Sequence, residues 1–235
     1  MKRIFTTLFF ALFFAVGTFG QDVQTSFASG TKLAAAGQFE TALAQFTTAA
    51  KLADATNTSA DKRAQLEYNI AVCHFRLGRI DEAVAKFESA IRLRPMYEKA
   101  FYALGMAEAE RQNWLDAEKA FLGTIAINQQ NAEAWFDLGY VYLAQKDSAG
   151  AKAAFELSAK YKSIDAAVSR NNIGVILASY GDTRGAIAEF EQALRLSGNK
   201  LKVARKNLEI CHQREIMEGK MVAVTLEFGK WKLAY

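Results

Sequence analysis

The sequence predicts an all-α chain of about five stacked antiparallel helix pairs, with one further capping helix after the last. Three observations lead there. Alanine, the best helix former, is abundant, while the 235 residues hold a single proline, Pro95. A block of fixed composition recurs along the chain. Short turn signals, several of them with glycine, sit inside each block at one position.

The recurrence shows in three columns. Phenylalanine stands at Phe46, Phe87, Phe121, Phe155 and Phe190, with gaps of 41, 34, 34 and 35 residues. Alanine stands at Ala42, Ala83, Ala117, Ala151 and Ala186, and a small residue at Gly30, Ala71, Gly105, Gly139 and Gly174, with the same gaps. The blocks run over 23–56, 64–97, 98–131, 132–165 and 167–200. Each divides into a helix A and a helix B at a turn: Ala36-Gly37-Gln38, Leu77-Gly78-Arg79, Arg111-Gln112-Asn113, Gln145-Lys146-Asp147 and Tyr180-Gly181-Asp182. Glycine suits the left-handed backbone expected where helix A stops. The small position and the alanine mark where the two backbones of a pair approach. The phenylalanine fills the space beside them and reaches the next helix A, since one pair cannot bury its own apolar face. The longer first gap holds Thr56-Asn57-Thr58-Ser59-Ala60-Asp61, a polar stretch with cap-forming residues that reads as an extended inter-repeat loop. Asn57-Thr58-Ser59 also fits a glycosylation acceptor, which matters only in a host that glycosylates.

Beyond the fifth block, Leu201, Ala204, Leu208 and Cys211 fall at helical spacing with charged residues between them. Residues 201–216 therefore read as a capping helix, apolar on one side and wet on the other. In the tail, 217–235, Val222, Val224, Leu226 and Phe228 alternate with Ala223, Thr225 and Glu227, a strand period. One strand cannot close a barrel. The tail is either disordered, packed on the capping helix, or available to extend a partner's sheet.

The first twenty residues differ in kind. Met1-Lys2-Arg3 is positive, Ile4 to Val16 is apolar apart from Thr6 and Thr7, and Gly17-Thr18-Phe19-Gly20 offers small residues before Gln21. That is the layout of a secretory signal peptide over residues 1–20. The alternative, a retained anchor, needs roughly 20 apolar residues to span a bilayer. Once the leader is cleaved, no integral membrane span is expected. The formal charge is +4, or +2 without Lys2 and Arg3, so no general attraction to nucleic acid or anionic membrane is expected. Cys73 and Cys211 are too few for a stapled exported domain and lie several blocks apart, so two free, mostly buried thiols are expected.

The 34-residue block resembles the tetratricopeptide repeat. Trp135-Phe136-Asp137-Leu138-Gly139-Tyr140 is similar to that family's first-helix signature, and Arg79-Ile80-Asp81-Glu82-Ala83-Val84-Ala85-Lys86-Phe87 to its second, with Ala90 and Pro95 following as in the family. The resemblance covers roughly residues 23 to 200. It implies a right-handed α-solenoid whose A helices line a concave groove that takes an extended peptide or a helix. The positions it turns inward include Phe27 and Gln65. The proposed partner-binding set is Tyr68, Asn69, Lys99, Tyr102, Met106, Phe136, Asp137, Tyr140, Asn171 and Asn172. The family's carboxylate clamp is not expected, because only Asn69 and Lys99 fall on comparable positions.

Chemistry is sparse. His74 and His212 each follow a cysteine but have no second ligand at i+3 or i+4, and no phosphate loop or nucleophile motif is present. Asp81, Glu82 and Asp116 sit early in B helices, where the helix dipole favours negative charge. No catalytic residue, metal site or cofactor is expected. The sequence thus points to a scaffold or adaptor of the cell envelope, in a bacterial periplasm by resemblance, that binds a protein or peptide. It is expected to be a monomer or to self-associate weakly. The alternatives are a non-catalytic accessory or regulatory subunit of an envelope enzyme or assembly complex, and a self-stacking array, against which the charged capping helix argues.

Overall fold

The computed structural model describes residues 22–216, so the leader and the tail lie outside the described residues. The described residues form eleven α-helices and no strand. They are α1 (22–35), α2 (Phe39–Asp54), α3 (Ala60–Arg76), α4 (Ile80–Leu93), α5 (Glu98–Glu110), α6 (Trp114–Ile127), α7 (Ala132–Ala144), α8 (Ser148–Lys160), α9 (Ala166–Ser179), α10 (Thr183–Leu196) and α11 (Lys202–Ile216). They group into two compact units, one ending at Arg111 and one beginning at Gln112. In the first, α2 packs on α3, α3 on α4, and α4 on α5. In the second, each helix from α6 to α11 packs on its successor, and α11 also reaches α9. This is an all-α helical repeat fold.

Local chemistry sets the boundaries. The middle residue of every A–B turn has positive φ: Gly37 (75°), Gly78 (74°), Gln112 (59°), Lys146 (65°) and Gly181 (84°). That left-handed step reverses the chain at the helix end. Asn131, Asp147 and Asp182 cap α7, α8 and α10 by accepting the backbone N–H of the residue three further on, at 2.8, 2.9 and 2.9 Å. α4 stops at Leu93, and Arg94, which precedes Pro95, is extended at φ −140°.

The recurring phenylalanines form the core, each at most 1% exposed, and the five alanines are fully buried. Phe46 packs with Leu66, Ile70 and Cys73 of α3. Phe87 packs with Ala103 and Ala107 of α5, Phe155 with Ile173 and Ile176 of α9, and Phe190 with Cys211 of α11. These four rings therefore each reach a helix of the following pair or the capping helix, as the spacing predicts. Burying one such ring contributes about 2–3 kcal/mol.

Two expectations change. The small position is not reserved for backbone approach. A Cβ at Gly30, Gly139 or Gly174 would stand 2.8, 2.6 and 2.6 Å from ring carbons of Phe46, Phe155 and Phe190, so the ring occupies that space. The insertion also forms less loop than its polarity suggests. α2 and α3 run to 16 and 17 residues, against 13 or 14 in α4 to α10, so only 55–59 stays non-helical. The Thr56 and Thr58 hydroxyls bond each other at 2.7 Å inside that loop. Ser59 occupies the N-cap of α3 without a side-chain cap bond.

Cys73 and Cys211 are free and buried, one in each unit. Burial pushes the Cys73 thiol up to about 11.

Candidate functional site

The ten residues proposed from sequence separate into two groups. In the first unit, Lys99 is exposed, and Tyr68, Asn69 and Tyr102 are half-buried. In the second, Asp137 is half-buried. The other five are interior. Met106 is 1% exposed, Phe136 4%, Tyr140 7%, and Asn171 and Asn172 are at 0%. These five cannot meet a partner and leave the binding set.

The packing explains the second unit's part of this correction. Phe136, Tyr140 and Phe155 form a triangle of edge-on rings with centroids 5.1, 5.9 and 5.3 Å apart, so both α7 aromatics serve the core. Helix α9 lies against α8, α10 and α11, which leaves its asparagines no solvent side. They are satisfied internally. Asn172 Nδ2 donates to Tyr140 Oη at 3.0 Å, Asn171 Nδ2 to Asn172 Oδ1 at 3.3 Å, and Asn207 Nδ2 of α11 to Asn171 Oδ1 at 2.9 Å. Tyr68 is partly withdrawn as well, with its ring 5.8 Å from Phe87 and 5.3 Å from Tyr97. Tyr97 is held in turn under the Arg94 guanidinium at 4.8 Å.

The first unit also holds a cleft of about 790 Å³ between α1 and the start of α3, bordered by the 55–59 loop. Val23 and Phe27 of α1 and Leu66 of α3 supply its apolar lining, and Thr56, Asn57, Lys62 and Gln65 its polar groups. Gln65, which lines the cleft, and Asn69 are one helical turn apart on the same face of α3. Asn69 Nδ2 donates to the Gln65 carbonyl at 2.8 Å, which fixes the amide against the helix. Sequence reasoning included Phe27 and Gln65 among inward positions but missed Thr56, Asn57 and Lys62 as site residues. The signal for them was the 41-residue first gap.

Among the described residues, no three His, Cys, Asp or Glu side chains gather to hold a metal ion. No described helix is long and apolar enough to cross a membrane. His74 is half-buried on α3, and burial is the main cause that lowers its pKa.

Comparison with known proteins places this geometry. Models of the tetratricopeptide repeat match residues 27–98, 102–167 and 167–200. The chain belongs to the tetratricopeptide repeat family, whose members are protein–protein interaction scaffolds and in general non-catalytic. It is 23% identical over 138 residues to BBSome complex member BBS4 of Xenopus tropicalis, which covers 59% of this chain. The chain spans only 27% of that relative's length. Among solved structures it is similar to MamA, at TM-score 0.65 and 22% identity over 74% of this chain and 96% of that one. It is also similar to YrrB, described as a tetratricopeptide repeat protein with an unusual peptide-binding site. There the TM-score is 0.63 at 18% identity, over 78% of this chain and 94% of that one. At such identities the two structures establish the fold alone.

Proposed function

We propose that this chain is an adaptor of the bacterial cell envelope, and that it holds an extended peptide of a partner protein on the A-helix face of its first unit. The observation that carries the reading is the α1–α3 cleft, whose lining residue Gln65 accepts a hydrogen bond from Asn69 one turn further along α3. Its apolar floor suits one buried side chain of a peptide. Gln65, Asn69 and the threonines suit the peptide's backbone amides. Lys99 and Tyr102 on α5 are exposed and half-buried, and offer a cation and an aromatic surface to a longer segment. The peptide-binding description of YrrB supports this class of ligand. The envelope assignment is supported by the leader pattern of residues 1–20.

The test is affinity capture from the native host, followed by calorimetry with the partner so identified. Asn69→Ala, Lys99→Glu and Tyr102→Ala together should weaken binding at least about tenfold, as expected when interface anchors are truncated. Unchanged affinity would remove the A-helix face from the proposal. Tyr68 is unsuitable for this purpose because its ring packs against Phe87 and Tyr97. N-terminal sequencing of the mature protein should begin at Gln21, and a mature chain starting at Met1 would argue for a retained anchor.

A further inference from the structure

A second surface lies far from these residues in sequence, wholly within the second unit. The α8–α9 and α10–α11 loops enclose a cleft of about 510 Å³. Ile164 stands at its edge 89% exposed and Leu196 54% exposed, while Val168 and Leu201 are half-buried within it. An isoleucine left that far in water contributes almost nothing to folding. Both line one cleft, so each of its two loops offers an exposed apolar side chain to it. Lys162 and Lys200 line the same cleft, both are exposed, and no carboxylate lines it. Neither lysine is ion-paired among the described residues.

Both loops are internally fixed. Lys162 and Asn199 each take the left-handed conformation, at φ 60° and 63°. The Ser163 N–H donates to the Ser158 carbonyl at 3.2 Å and the Asn199 N–H to the Leu194 carbonyl at 2.8 Å. Ser163 Oγ accepts the Asp165 N–H at 3.1 Å, and Ser197 Oγ accepts the Leu201 N–H at 3.2 Å. A site whose loops are already ordered loses little entropy on binding.

We propose that this cleft docks a short segment of a partner protein in which an apolar side chain is flanked by carboxylates. The apolar side chain enters between Ile164 and Leu196, and the carboxylates meet Lys162 and Lys200. This surface is separate from the α1–α3 cleft, so either can fail without the other.

The test uses the full chain with methyl-labelled isoleucine and leucine, titrated with two blocked peptides, Asp-Asp-Leu-Phe-Asp-Asp and Lys-Lys-Leu-Phe-Lys-Lys. The acidic peptide should shift the Ile164 and Leu196 methyl signals saturably, and the basic one should leave them in place. Lys162→Glu with Lys200→Glu should weaken the acidic peptide about tenfold, the loss expected for two exposed ion pairs. Ile164→Ser should abolish the Leu196 shift, and because Ile164 is solvent-facing the helix content should not change. Equal binding of both peptides would overturn the proposal, as would shifts confined to the leucine methyls at Leu66, or no effect of the charge reversal. Ile164 signals that move with protein concentration alone would also overturn it, and would assign the cleft to a second copy of the chain.

Discussion

Lys146 and Gln112 occupy the left-handed turn position that glycine holds at Gly37, Gly78 and Gly181. A side chain there costs about 1 kcal/mol relative to glycine. Lys146→Gly should therefore raise stability by about 1 kcal/mol, read as a higher urea midpoint at unchanged slope. The small position behaves in the opposite way. At Gly174 the Phe190 ring fills the space of a Cβ, so Gly174→Val should lose about 1–3 kcal/mol through overpacking. Ala71, buried in one cluster with Phe87, carries a single methyl at the same column. His74 gives a pH dependence. Burial lowers its folded pKa, with Glu82, Arg79, Lys86 and Glu40 as the charges around it. The unfolded chain takes a proton near the ordinary 6.5 and the folded chain only at lower pH, so this contribution is full above 6.5 and is lost as the pH falls through the folded value. Urea midpoints should fall between pH 7 and pH 5, and His74→Gln should reduce that fall.

At the scale of elements, the capping helix is joined to the last repeat by more than its apolar face. Asn207 of α11, Asn171 and Asn172 of α9 and Tyr140 of α7 form one buried hydrogen-bonded chain. Apolar periodicity predicted α11 through Leu201, Ala204, Leu208 and Cys211, and the structure buries Ala204 and Cys211 fully. It also buries Asn207, which stands three residues after Ala204 and four before Cys211 on the same face but is polar. Asn207→Ala should cost about 1–3 kcal/mol, since the Asn171 amide then loses a buried partner. Hydrogen exchange should show α11 amides losing protection while α7 and α8 keep theirs. The insertion is a comparable case. Its polarity suggested an extended loop, but helix propagation through Ala60 and Asp61 lengthened α3 and left only 55–59 to border the cleft.

At the scale of the molecule, the two thiols lie in separate units and each reports on its own. Cys73 at about 11 is almost wholly protonated at pH 8, with roughly one thiolate in a thousand, and both side chains are fully buried. Labelling of Cys73 and of Cys211, measured in single-cysteine variants, should be slow in native buffer. Each rate should rise only as its own unit opens in urea. Rapid native labelling of Cys73 would contradict the packing of α3 against α2.

The repeat itself was legible from the amino acids alone. Its period, its A–B turns and its glycine, alanine and phenylalanine columns rest on local backbone conformation and on contacts that recur at fixed spacing. Residue type and position carry that information together. The binding face was only partly legible. Lys99, Tyr102 and Asn69 remain on the surface, whereas Phe136, Tyr140, Asn171 and Asn172, chosen by the same positional rule, are interior. An A helix in a stack is flanked by other helices on several sides, and each residue turns the face by about 100°. Neighbouring positions such as Phe136 and Asp137 can therefore lie on opposite sides of the boundary between core and solvent. Sequence determined that these helices exist and pair. The neighbours that the tertiary structure lays against α7 and α9 decided which of their side chains a partner can reach.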